Sequence, residues 1–274
     1  MNRPIRHYAD RPMRLRFRAL LVCLLALAAL VAGCGDDDQR PSVGKAKPST
    51  TPATRLDIDI SPNVTLPNTR SIAEAVVPEV QVFETPEAAA PMLALQNPWH
   101  VNDDPNEPTV PQVFLVEEQR DDGWVRVLLP VRPNGSTGWV RASDVKLTAT
   151  TYRVLIELGA HRITVYEGDA VILEEAAAIG KPATPTPPGR YYIRVLLEST
   201  NPDSVYGPFA YGLSAHSDVL TSFNGGDAEV GIHGNNDASV LGQSVSAGCV
   251  RMSNDGITRL TEILPLGTPV EIVA

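Results

Sequence analysis

From residue 79 to the C-terminus apolar and polar residues alternate in one short run after another, and only once do apolar residues recur at helical spacing. The runs "EVQVFET", "QVFLVEEQ", "WVRVLLPV" and "GWVRASDV" are broken by "RDDG" and "PNG". A period of two bounded by turn residues marks strands that bury one face. The pattern resumes at Tyr152 in "YRVLIELGAHRITVYEGDAVILEEAAAIG", in "RYYIRVLLE" and in the closing "PVEIVA". The exception follows Ser253 and Asn254, both good helix caps, where Ile257, Leu260 and Leu264 keep helical spacing until Pro265. With 24 Pro in 274 residues, the chain reads as mainly β with one short helix.

The first 33 residues belong to none of this. Arg11, Arg14, Arg16 and Arg18 precede the uncharged run "ALLVCLLALAALVAG", a basic start and a short apolar segment of the kind that directs export. It is shorter than the ~18 to 20 residues a spanning helix needs. "VAGC" resembles the lipobox of bacterial lipoproteins, which implies cleavage before Cys34, acylation of its thiol, and an extracytoplasmic protein anchored in the membrane through lipid. Residues 34–74 are rich in Pro, Thr, Ser and Asp and nearly free of apolar periodicity, so they read as a disordered tether. A flexible chain of that length spans on the order of 35 Å. Beyond residue 33 the chain has 17 basic and 31 acidic residues, a net charge of −14. That balance disfavours nucleic acid or an anionic membrane surface as partner.

Two folded domains are expected, residues 75–149 and 150–274. "DGWVRVLLPVRPNGSTGWVRASDV" resembles bacterial SH3-like domains, small β-barrels, with Trp124 and Trp139 at the matching positions. These tryptophans serve either core and turn packing or a wall-binding groove. The junction "LTATT" is short and polar, so the second domain is expected to fold without the first.

Three cysteines cannot build a disulfide framework. Cys23 lies in the export segment and Cys34 in the lipobox, which leaves Cys249 as the free thiol. It sits in "SVSAGCVRM", where Ser246, Ala247 and Gly248 give a turn with backbone N–H groups able to converge beside the sulfur. A free thiol with a pKa near ~8.5 is mostly protonated at neutral pH and gains from an adjacent base. His233, in "GIHGNN", is the candidate, and activation by it predicts a lowered thiol pKa. Taken alone, the pair fits a structural role as well as a catalytic one. No Cys-x-x-Cys or His-x-x-His spacing accompanies it, and neither metal nor cofactor is expected.

The ordered set "TPTPPG", "HGNN" and "SAGCVRM" resembles the L,D-transpeptidase catalytic domain of the YkuD type, over about residues 150–274. The resemblance implies a β-sandwich enzyme of peptidoglycan biosynthesis and cell shape that acts on stem peptides. The Cys attacks the stem carbonyl before the terminal D-Ala, and a second stem's amine resolves the acyl-enzyme into a 3→3 cross-link. It implies Cys249 as nucleophile, His233 followed by Gly234 as base and acid, and the Gly248 and Cys249 amides as oxyanion donors. Ser246 shapes the turn, and Arg251 positions either the loop or a substrate carboxylate. Many members have His where this chain has Ala247, so the group that orients His233 is left open between a main-chain carbonyl and an outside side chain. His216 and Tyr211 are candidates for lining the pocket, and a monomer is expected. An L,D-carboxypeptidase using the same site and a non-catalytic wall-binding lipoprotein are the alternatives.

Overall fold

A computed structural model describes residues 43–46, 68–223 and 226–274. The export segment, Cys34 and most of the expected tether lie outside these residues.

The N-terminal part is a five-stranded antiparallel sheet in the order Val145–Thr150, Arg70–Ala75, Val113–Gln119, Trp124–Leu128, Thr137–Arg141. A hairpin of Glu79–Val82 and Leu93–Gln96 joins it through a bridge between Phe83 and Trp139. Alternation sends Ala73, Phe114, Val125, Val127 and Val140 into one core together with Val80 and Val82 of the hairpin. Trp124 and Trp139 point the other way and are half-buried. Trp124 meets Phe83 edge to face at 5.2 Å, and the guanidinium groups of Arg141 and Arg120 lie over Trp124 and Trp139 at 4.7 and 5.5 Å.

Two strands draw on the stretch assigned to the tether. Arg70–Ala75 pairs on both sides, and its consecutive Ile72 and Ala73 are both buried, Ile72 in one core and Ala73 in another. A strand covered on both faces shows no alternation, so its sequence carries no period-two signal. Val43–Ala46, also in the expected tether, pairs with Gly189–Ser199.

The C-terminal part is one continuous sheet rather than two separate sandwich layers. Its order is Ala170–Ala176, Arg162–Glu167, Tyr152–Glu157, Pro269–Val273, Gly189–Ser199, Phe209–His216, Glu229–His233, Val250–Arg251. The eleven-residue strand Gly189–Ser199 lets it curl: residues 189–192 pair with Pro269–Val273, whereas residues 193–198 pair with Phe209–His216 after a break in register near Arg194. Both halves bury residues in a common core that includes Ile156, Ile163, Tyr191, Leu213 and Ile232. The helix is Asn254–Thr261, the one α-helix among the described residues. Ser253 caps it by accepting from Gly256 N–H at 2.9 Å, and Ile257 and Leu260 bury its inner face.

The two parts share a core across the short polar junction. Thr148, Ala149 and Thr150 are buried strand residues, not linker. Ile72, Trp99, Val113, Leu115 and Leu128 of the N-terminal part belong to the same apolar cluster as the C-terminal core. Arg194 stacks on Trp99 at 4.0 Å, and Arg190 pairs with Glu117 at 2.9 Å. The described residues all fall in one compact unit.

Candidate active site

Glu229–His233 runs antiparallel to Phe209–His216 and parallel to Val250–Arg251, with Ile232 opposite Val250 and His233 opposite Arg251. Val230 and Ile232 face the core. Strand alternation therefore turns Gly231 and His233 to the other face, where they line a cavity of about 140 Å³ together with Cys249. Register brings Gly231 beside Cys249, and its N–H points at Sγ at 3.4 Å. A side chain at position 231 would put its Cβ 4.0 Å from the sulfur and 2.9 Å from the Tyr211 carbonyl.

His233 is 3% exposed, and its Nδ1 lies 2.6 Å from the Gly234 carbonyl. A carbonyl can only accept, so the contact assigns the ring proton to Nδ1 and leaves Nε2 as the basic nitrogen. This answers which group orients the imidazole: the main chain of the next residue, with no side chain needed at Ala247. The carbonyl is itself held in place. Gly207 and Asn254 Oδ1 crowd Gly234 so closely that no Cβ fits, Asn235 donates to Met252 O at 2.7 Å, and Met252 N–H donates to His233 O at 2.9 Å. Tyr206, which the sequence did not single out, packs its ring on the imidazole at 4.8 Å and lines the cavity.

The Cys249 turn is fastened from two sides. Gly248 has φ 128°, a conformation that only glycine adopts without strain. Ser246 Oγ accepts from Gly248 N–H at 3.1 Å and donates to Cys249 O at 2.5 Å. The Gly248 amide, expected as an oxyanion donor, thus spends its proton on Ser246 in this structure. Thr186, 2% exposed in the "TPTPPG" loop, donates to Gly248 O and accepts from Gly180 N–H, both at 2.8 Å, and Thr184 donates to Ser246 O at 3.2 Å. The proline-rich loop is therefore the backing of the cysteine turn.

Burial, the largest influence, drives His233 down to about 4; the Gly234 bond opposes it and nearby Arg251 adds to it. Burial also pushes the Cys249 thiol above its ordinary range, against the Gly231 N–H and Arg251. This direction is opposite to the lowered thiol pKa expected from the sequence. Both directions favour the neutral forms of the two groups in the folded chain.

The other expected residues fall in different places. Arg251 is half-buried, tied by its backbone to Ala178 at 2.8 Å in both directions, and its charge is felt at both His233 and Cys249. Ala247 is half-buried and does not border the cavity. Tyr211 reaches the cavity with its strand, but its hydroxyl donates to Leu260 O at 2.9 Å and anchors the helix. His216 lies away from the cysteine, at the end of its strand, with Nε2 3.3 Å from Asp227 and its backbone bound to Asn134 of the N-terminal sheet. Neither His216 nor the Tyr211 phenol belongs to the Cys249–His233 pair. Among the described residues no group of His, Cys, Asp and Glu is arranged to hold a metal ion.

Set against known proteins, residues 151–272 match the YkuD family model, described as an L,D-transpeptidase catalytic domain. The YkuD proteins of Bacillus licheniformis and Bacillus subtilis strain 168 are 33% and 32% identical over 121 residues, 44% of this chain and 65% of theirs. The chain thus spans just under two thirds of these relatives' length. The structure of Bdellovibrio bacteriovorus Bd1075 is 27% identical over 45% of this chain and 48% of that one, with a TM-score of 0.36. It is over residues 151–272, the sheet that carries Cys249 and His233, that this chain is similar to the L,D-transpeptidase catalytic domain of the YkuD family.

Proposed function

We propose that this protein is a cysteine-dependent L,D-transpeptidase that joins peptidoglycan stem peptides by 3→3 cross-links. The observation that carries the reading is the cavity shared by Cys249 and His233, with the His233 Nδ1 proton held by the Gly234 carbonyl so that Nε2 is the available base. Sγ adds to the stem carbonyl as the thiol proton passes to Nε2. The tetrahedral oxyanion collapses, the bond to the terminal D-Ala nitrogen breaks, and the imidazolium returns its proton to that leaving amine. A second stem's amine then attacks the thioester, gives a proton to His233, and expels the sulfur, which recovers it as a thiol. The Cys249 amide is the remaining candidate for the oxyanion, and Arg251 supplies positive charge near both reacting groups.

The test is incubation with a disaccharide tetrapeptide and mass analysis of the products. A cross-linked dimer supports transpeptidation, tripeptide alone identifies an L,D-carboxypeptidase, and unchanged substrate overturns catalysis. Intact-mass measurement with a carbapenem should show one adduct, absent in Cys249→Ala and formed roughly 10² to 10⁴ more slowly in His233→Ala.

We place the enzyme outside the cytoplasmic membrane, anchored by lipid on Cys34 and reaching the wall on the stretch that follows. Cys34→Ala should release it from membranes; a variant that still partitions with them overturns the anchor. On this reading the five-stranded N-terminal sheet is the SH3-like module, packed on the catalytic sheet instead of hanging free.

A further inference from the structure

The cavity wall that includes Asp227 and Ala228 is not held by its own sheet alone. Phe209–His216 and Glu229–His233 pair at Ala210, Tyr211 and Gly212 near Cys249 and again at His216 opposite Glu229, with a break in register between. Residues 217–223 and 226–228 leave and re-enter the sheet at the other end and bring Phe223, Asp227 and Ala228 to the cavity. Into this wall reaches the turn between Trp124–Leu128 and Thr137–Arg141 of the N-terminal sheet. Arg132 donates from Nη1 to Ser217 O at 2.6 Å, from Nη2 to Leu220 O and Asp227 O, both at 3.0 Å, and from Nε to Asp227 Oδ1 at 3.4 Å. Asn134 donates to His216 O at 2.7 Å and to Asp218 Oδ1 at 3.1 Å, and accepts from His216 N–H at 2.9 Å.

A guanidinium carries its donors in a rigid fork, so one side chain ties the departing backbone to the returning backbone. Ala228, 4% exposed, shows the consequence. Its φ of 50° is left-handed, which a residue with a Cβ keeps only where its surroundings impose it. Its carbonyl accepts from Ser217 N–H at 2.9 Å, the same residue whose carbonyl Arg132 holds. The N-terminal part, outside its five-stranded sheet, also brings Val101 to the cavity lining, and its Trp99 covers Arg194, the partner of the cavity residue Glu229.

We propose that Arg132 is a positioning residue for the reaction at Cys249: through it the N-terminal sheet sets where the Asp227 and Ala228 wall stands in the reactive cavity. The proposal rests on Cys249 being the residue acylated. It makes the N-terminal sheet part of the substrate-binding surface, beyond any role in wall attachment.

The experiment follows two reactions of the full chain in the wild type, Arg132→Ala, Arg132→Lys and Asn134→Ala. One is acylation by a carbapenem across a concentration series. The other is mixed-disulfide formation at the Cys249 peptide with a small aromatic disulfide, which needs the thiol but not the wall. Arg132→Ala should raise the half-saturating carbapenem concentration roughly ten-fold, the scale of loss that small misplacement of a binding wall produces. Its disulfide rate should stay at the wild-type value. Arg132→Lys, which keeps the charge without the fork, should recover part of the loss, and Asn134→Ala should show a smaller one. Unchanged acylation in folded Arg132→Ala, or an equal loss in both reactions, overturns the proposal. If Arg132→Ala does not fold, Arg132→Lys and Asn134→Ala are judged by the same pair of rates. No acylation of the wild type would instead overturn the proposed function.

Discussion

For the single side chains of the proposed catalytic pair, the main consequence of burial is that the neutral forms are favoured. His233 is unprotonated in the folded chain down to about pH 4, while an unfolded chain takes up that proton near ~6.5. Between these values the unfolded state binds more protons, so this histidine's contribution is complete above ~6.5 and is lost as pH falls toward 4. The loss amounts to about 3 kcal/mol across the window. Urea unfolding of wild type and His233→Asn at pH 7 and pH 5 should show a steeper decline in the wild type; parallel declines would remove the buried neutral imidazole. The acid limb of carbapenem acylation should likewise follow a group titrating near 4 rather than one near ~6.5. Thr186 offers a second test, because its hydroxyl is the shared partner of a buried N–H and a buried carbonyl behind the cysteine turn. Thr186→Val keeps the shape and orphans both, at a cost of about 1–3 kcal/mol with slower acylation. Chemical denaturation and a single-turnover rate measure the two effects.

Among the elements, the helix and the cysteine turn illustrate two different dependencies. The helix begins where a Ser hydroxyl caps it, and the Glu175 carboxylate accepts from the N–H and hydroxyl of that same Ser253 at 2.8 and 2.9 Å. Ser253→Ala should cost roughly 1 to 2 kcal/mol by loss of the cap, read from the unfolding midpoint. Its acylation rate should stay near the wild-type value, since the reactive turn is fastened from the other side by Thr184, Thr186 and Ser246. The cap was legible as Ser-Asn before a helical run; the backing of the turn was visible only as the "TPTPPG" motif, without its contacts. Alternation likewise marked the strands with one covered face, whereas Arg70–Ala75 escaped it because Ile72 and Ala73 face different cores.

For the assembled chain, the prediction reverses the expectation of independent domains. Residues 150–274 alone would expose the apolar surface that Ile72, Val113, Leu115 and Leu128 cover, and an uncovered patch of that kind drives association. The fragment should be aggregated or unfolded by circular dichroism and sedimentation, whereas residues 68–274 should be folded and monodisperse. Gly267 probes the same seam within the intact chain. It is left-handed at φ 86°, and a Cβ there would stand 2.5 Å from Ile72 Cγ2. Gly267→Ala should lower stability by about 1–3 kcal/mol through strain and overpacking together, whereas an exposed left-handed position such as Gly168, with open space around it, should lose only the backbone part.

Local chemistry was readable in the chain because it needs only near neighbours: turn residues between alternating runs, a Ser before a helical run, and a thiol among small residues with a histidine sixteen positions away. Those signals marked the helix and the strands with one covered face and made Cys249 and His233 candidates, which the family resemblance then joined. Packing decided what distance along the chain conceals. The carbonyl that orients His233 belongs to the adjacent residue, yet the crowding that holds it comes from Gly207 and Asn254. The raised thiol and lowered imidazole come from burial, which no local motif encodes. His216 could be assigned to the pocket from its strand, and only the fold shows it turned toward Asp227 and Asn134. Arg132, 95 residues from Asp227 in the chain, carries no local mark at all, because its partners are mostly backbone carbonyls, and which carbonyls meet a guanidinium is settled only when the two sheets close on each other.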